Sequence, residues 1–245
     1  MHDFPGGRFA VWTTAWLNGR TSYDEALDAV AGDRAHSVSG LPGTHEPVPL
    51  GWALTALRGL GERRFRLVLP VPGDVRGLPR VPGLAPLALE AGQAAVGDQL
   101  VLVPEAVGTE AVAWTAFGLD ADYAAPPPVE GTLRAVSGAL DLAVGDAART
   151  LARLDVARWN PEVPSLLAGL ATPAAAPELP GDHDPLAVSV LGRAQRLAQV
   201  LDLAMADAPG AAVNHAQAAA RDSALRPLAD AVREAVTAAY NTVPR

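Results

Sequence analysis

A chain of 245 residues is long enough for one large domain or two small ones, and at that length folding buries roughly 70% of the unfolded surface with no disulfide or metal needed. It contains no cysteine, and all 19 basic residues are arginine, which excludes thiol nucleophiles, cysteine-ligated zinc, Schiff-base and pyridoxal-phosphate lysines and a P-loop lysine. The net charge of −8 is spread evenly, with 9 arginines against 13 acids over residues 1–120 and 10 against 14 over residues 121–245, so neither half has the basic surplus that binding to a phosphate backbone requires.

In chain order, Phe9, Trp12, Trp16 and Leu17 recur at helical spacing and Gly19 follows as a stop, so residues 9–18 read as a helix. Ser22 and Glu25 have the spacing of a capping box ahead of Ala26, Leu27 and Val30, which starts a second helix. A strand is expected over Ala35–Ser39, a helix near Pro49–Leu60 with Leu50, Ala53, Leu54 and Leu57 on one side, and a strand over Phe65–Leu69. A helix over Leu84–Ala95 leads to a strand over Leu100–Val103, and Ala111–Phe117 returns after Gly108-Thr109 as a hairpin would. Strands separated by helices of this length imply parallel pairing through crossovers, with only the last hairpin strand antiparallel.

Pro126-Pro127-Pro128 continues neither kind of element, and ten of the twelve aromatics lie at or before Tyr123. The expected organisation is therefore an α/β domain over 1–122, holding a mixed, mainly parallel small sheet with crossover helices, and an all-α region over 123–245 that is either separate or packed on the first as one unit. In the second region Leu133, Val136, Leu140, Val144, Ala147, Leu151 and Leu154 step by three and four along one long amphipathic helix. A proline-rich stretch over 160–184 contains at most a short helix at Ser165–Leu170. Asp184-Pro185 supplies a cap and a first-turn proline for the next helix, and Ser223 is positioned to cap a last one carrying Leu225, Leu228, Val232, Val236 and Tyr240.

Candidate chemistry comes from topology. Ligands of open parallel sheets bind outside the carboxyl ends of the strands. If the strands are parallel, Thr44, His45, Asp74, Arg76 and Glu105 gather at one edge and suit a polar or anionic small molecule or acid–base work. The competing account is that these Pro-Gly loops are turns, with Asp74 bonding local backbone and Arg76 solvated. Asp182-His183-Asp184 can be read as a metal triplet, but a polar loop whose Asp184 caps a helix explains it better, and no metal site is expected. Arg58, Arg63, Arg64 and Arg66 suggest an acidic partner, or simply cations gathered after a helix C-terminus and partly offset by Glu62. Trp12 and Trp16, one turn apart, suit a core better than a stacking surface.

There is no Gly-x-Ser-x-Gly, no Gly-x-Gly-x-x-Gly, no His-Glu-x-x-His and no EF-hand loop, and no cofactor is expected. The N-terminus has no basic-then-apolar signal pattern and no apolar run approaches bilayer length, so a cytoplasmic location is expected. The heavy use of Ala, Gly, Pro and Arg is that of a high-GC bacterial genome. Function is not written in any motif. The leading expectation is a non-catalytic protein acting through protein–protein contact, as a homodimer or with another partner, through its C-terminal helices. The alternative is a small-molecule enzyme or ligand-binding protein using the loops at the strand ends.

Overall fold

The computed structural model describes residues 4–120, 123, 132–153, 179–205 and 215–242. The chain divides into two compact units, one formed chiefly by Asp3–Pro128 with Glu178–His183 and the other by Val129–Pro177 with Asp184–Thr242.

In the first unit, α1 (Pro5–Leu17) opens on a proline at its first turn, where the missing N–H costs nothing, and buries Phe9, Ala10, Trp12, Ala15 and Trp16. Trp12 and Trp16 are thus core. Helix α2 (Tyr23–Ala31) is capped by Ser22, whose Oγ accepts from the Glu25 N–H at 3.1 Å, while the Glu25 carboxylate bonds the Thr21 hydroxyl. There follow β1 (Ala35–Ser39), β2 (Val48–Pro49), α3 (Leu50–Gly59), β3 (Arg66–Val68), α4 (Leu84–Ala91), β4 (Ala94–Val96), β5 (Leu100–Val107) and β6 (Ala111–Gly118).

The strands form one six-stranded sheet in the order β2-β1-β6-β5-β4-β3. Only β1 and β6 pair in parallel; every other pairing is antiparallel. The expectation of a mainly parallel sheet is therefore corrected, for two reasons: β4 inserts between β3 and β5, and β1 pairs with β6, the antiparallel partner of β5. Three residues, Ala94–Val96, leave the stretch read as a helix tail and enter the sheet between β3 and β5. Strands β3 and β5 do point the same way, as a crossover requires, but they flank β4 instead of pairing. Strand β1 runs opposite to both.

One face of the sheet packs on α1, with the Phe9 ring 5.0 Å from Trp114 and 5.1 Å edge-on from Phe65. Thr14 ties the two layers together, since its hydroxyl accepts from the Phe65 N–H at 2.9 Å. On the other face Leu84 and Ala88 of α4 close over Val68, Ala94, Val96, Val101 and Val103. Burying such Leu, Val and Phe side chains is worth about 1.5–3 kcal/mol each, so these two clusters dominate the unit's stability. At Gly40, just after β1, φ is +79° and an added Cβ would lie 2.6 Å from the Ala116 carbonyl oxygen, so only glycine lets β1 end against β6.

In the second unit, α5 (Leu133–Arg153), α6 (Pro185–Met205) and α7 (His215–Asn241) pack with α7 against both of the others. The Asp184 carboxylate accepts the Leu186 N–H at 2.8 Å and starts α6. Buried Leu140 and Ala147 of α5, Ala187, Leu191, Ala194 and Leu201 of α6, and Leu225, Leu228, Val232, Val236 and Tyr240 of α7 form its core. The last helix begins at His215, so Ser223 is an interior helical residue and not a cap. The short helix expected at Ser165–Leu170 lies outside the described residues.

Candidate functional site

The strand directions decide which sequence candidates can meet. Strand β1 delivers the loop of Thr44 and His45 at one end of the sheet, whereas β3 delivers Asp74 and Arg76 at the other. Glu105 is not in an exit loop at all, because β5 continues to Val107 and pairs Glu105 with Ala113.

Each candidate has a local role. The Thr44 hydroxyl donates to the Leu41 carbonyl at 2.9 Å and closes a turn, and His45 is exposed beside it. Asp74 and Arg76 do come together, with Nε and Nη2 of Arg76 each 2.9 Å from a different carboxylate oxygen of Asp74. Asp74 also accepts the Arg76 backbone N–H at 3.2 Å, as the turn account requires. This pair lies on an open groove of about 720 Å³ lined by residues 73–81 and Ala85, with Arg80 a second cation on its wall. Glu105 lies on the half of the sheet face that α4 leaves open, in one cross-strand row with Ala113 and Ser37 and next to exposed Val107.

The arginine concentration is absorbed into structure. The Arg58 guanidinium stacks 4.0 Å over the Trp16 ring and donates to the Trp16 carbonyl, and Arg66 donates to the Tyr123 hydroxyl at 3.2 Å. Burial and the neighbouring Arg66 charge hold the Arg64 guanidinium below its ordinary pKa. Asp182 pairs with Arg20 at 2.9 Å, and no group of three metal-ligating side chains occurs among the described residues. No helix among those residues is long and apolar enough to cross a membrane.

Sequence reading missed the most unusual side chain, Glu62, which is 2% exposed. Its carboxylate accepts the backbone N–H groups of Asp98, Gln99 and Leu100 at 2.7, 2.9 and 3.0 Å, and so holds the turn from β4 into β5. The same turn receives the Arg63 N–H on Asp98 and returns the Gln99 amide to the Leu60 carbonyl. Gly97 makes room, since a Cβ there would fall 2.7 Å from both Glu62 oxygens. Burial raises the Glu62 pKa, partly offset by the three N–H donors. A buried carboxylate with a raised pKa is a common mark of a catalytic acid, but this one is saturated by backbone and works as a latch. The one legible signal was the turn sequence Gly97-Asp98-Gln99; nothing local pairs it with residue 62.

His36 and Trp114 form a partly buried polar contact, the indole N–H donating to His36 Nδ1 at 3.1 Å.

A mixed, largely antiparallel sheet flanked by helices, followed by a helical unit and lacking an assembled set of catalytic side chains among the described residues, defines a two-unit α/β-plus-helical protein. The chain belongs to the Rv1486c-like family, whose N-terminal domain matches residues 6–131 and whose C-terminal domain matches residues 134–237. It is similar to two Mycobacterium tuberculosis proteins, "Uncharacterized protein Rv1486c" of strain H37Rv and "Uncharacterized protein MT1533" of strain CDC 1551. Each is 32% identical over 125 residues, a match covering 41% of this chain and 43% of the relative. These mycobacterial relatives agree with the composition noted above. No solved structure matches the chain.

Proposed function

We propose that this chain is a non-catalytic cytoplasmic protein that works through protein–protein contacts made by its helical unit. The supporting observation is the outward side of α5. Leu142 is 72% exposed there, and Ala135, Gly138 and Ala139 are exposed around it. We read this exposed leucine, on a helix whose opposite side supplies Leu140 and Ala147 to the core, as part of a contact surface. The absence of cysteine suits a reducing compartment. The test is affinity capture from the source organism with wild-type and Leu142→Asp proteins. Partners held by the wild type and lost by the variant support the reading, and identical capture profiles oppose it.

A second reading keeps the strand-end loops, reduced to Asp74, Arg76 and Arg80 on their groove, as a site for a small anion. What favours it is two guanidinium groups facing one open groove against a single carboxylate. Calorimetric titration with inorganic phosphate and with malonate tests it. Binding that Arg80→Ala removes supports the site, and no heat with either anion removes it.

A further inference from the structure

We infer that the groove of residues 73–81 takes an organic monocarboxylate with an apolar body, its carboxylate on the Arg80 guanidinium and its body along Val75, Leu78 and Val81; this rests on the anion reading of the groove given above. The loop that forms it joins β3 to α4 and carries Pro70, Pro72, Pro79 and Pro82, each of which fixes its own backbone φ. Leu78 and Val81 are partly buried against the cluster that holds Val68 and Leu84, and a Cβ on Gly77 would lie 3.3 Å from a Val68 methyl group. The loop is thus set firmly on the sheet, and little ordering is left for a ligand to impose.

Charge selects the ionic form of the ligand. Arg76 is held in a fork by Asp74, at 2.9 Å to each carboxylate oxygen, so that pair is neutral as a whole. Arg80 is exposed on the groove and has no hydrogen bond or ion pair among the described residues. The groove therefore carries a single excess positive charge, which matches one carboxylate. A dianion would leave its second charge unmatched in a groove that Asp74 also lines. A guanidinium meets a carboxylate through two parallel N–H donors, the geometry of the Asp74–Arg76 pair itself.

The walls select the rest of the molecule. Val75, Leu78, Pro79, Val81 and Ala85 line the groove, and Val75 is 45% exposed although its side chain is apolar. Several backbone donors that a phosphate cradle would use are spent within the loop. The N–H groups of Asp74, Leu78 and Val81 bond the carbonyls of Val71, Val75 and Pro79, that of Arg76 bonds the Asp74 carboxylate, and Pro79 has none. The volume of about 720 Å³ lies within the range of about 300–1,000 Å³ common for small-molecule sites, and is far more than a bare inorganic ion fills. An apolar body along these walls takes Val75 and its neighbours out of water, a gain that a small ion does not supply.

The experiment is calorimetric titration of the full chain with octanoate, acetate, octanamide and inorganic phosphate, with circular dichroism confirming that each variant keeps its fold. Octanoate is expected to bind at least about tenfold more tightly than acetate, which lacks the apolar body, and than octanamide, which lacks the charge; tenfold corresponds to about 1.4 kcal/mol. Arg80→Ala and Val75→Asp, both at exposed positions, are each expected to weaken octanoate binding at least about tenfold. Octanamide equal to octanoate, or octanoate binding indifferent to Arg80→Ala, overturns the place given to the carboxylate. Binding indifferent to Val75→Asp overturns the apolar wall. Phosphate or acetate binding as tightly as octanoate overturns the monocarboxylate class and leaves the anion reading standing, whereas no binding of any of the four overturns both.

Discussion

Replacing Glu62 by glutamine tests whether the turn between β4 and β5 is held by a carboxylate or merely filled by a side chain of that size. In the structure one oxygen takes the Asp98 N–H and the other takes those of Gln99 and Leu100. An amide can keep its oxygen on the Gln99 and Leu100 donors, but its NH2 group then faces the Asp98 N–H, donor against donor. A buried donor left unsatisfied costs about 1–3 kcal/mol, so Glu62→Gln should lose that much. Glu62→Ala strands all three donors and leaves a void, and should lose more than Glu62→Gln, about 3 kcal/mol or above, since each unsatisfied buried donor costs about 1–3 kcal/mol. Urea unfolding followed by tryptophan fluorescence reads this unit, which contains Trp12, Trp16, Trp52 and Trp114. If both variants unfold within about 0.5 kcal/mol of wild type, the range of an ordinary surface substitution, the latch account is wrong.

Further expectations follow from the same contacts. Because burial raises the Glu62 pKa in the fold, the protonated form is favoured there, so stability from this group is greatest below the ordinary glutamate pKa, about 4.3, and declines as pH rises through the raised value. The stability gap between wild type and Glu62→Gln should narrow over that rise; a widening gap would show that the three N–H donors outweigh burial. Gly97→Ala, with its Cβ 2.7 Å from the Glu62 oxygens and the Phe65 ring, should lose about 1–3 kcal/mol in the same urea assay, and unchanged stability would count against the close fit. His36→Leu leaves the Trp114 indole N–H without its acceptor and should lose about 1–3 kcal/mol with a shift in tryptophan emission; an unchanged spectrum and midpoint would deny the bond. Arg76→Ala breaks an ion pair whose arginine is mostly exposed and should change thermal stability by no more than about 1 kcal/mol, a larger loss being contrary to the turn role.

Much of the fold could be read from periodicity because its signals are local. The apolar spacing of α1, α3 and α5, the Ser22 cap and the Asp184-Pro185 start each depend on a few neighbouring residues, and each is present. What failed depends on partners far along the chain. Ala94–Val96 is three residues long and begins with two alanines, which by themselves favour helix; it is a strand because β3 and β5 flank it. Strand β1 runs opposite to β3 and β5 because it pairs in parallel with β6, the antiparallel hairpin partner of β5, and that pairing, invisible locally, separates Thr44 and His45 from Asp74 and Arg76. Only the Asp74–Arg76 pair, two residues apart, survives as a contact. Glu62 escaped notice for the same reason, its donors lying 36 to 38 residues away. Leu142 was hidden differently. The core-facing stripe of α5 was plain in the sequence, but a single leucine on the other side stands out only when the helix is seen packed.

Contact through the Leu142 side of α5 is measured most directly as protection of a thiol. The chain has no cysteine, so Ala135→Cys, exposed two turns from Leu142 on the same side of the helix, gives one reactive group per chain. Maleimide labelling is expected to be slower in a lysate of the source organism than in buffer, and to return to the buffer rate when Leu142→Asp is added. Equal rates in lysate and buffer would contradict the account.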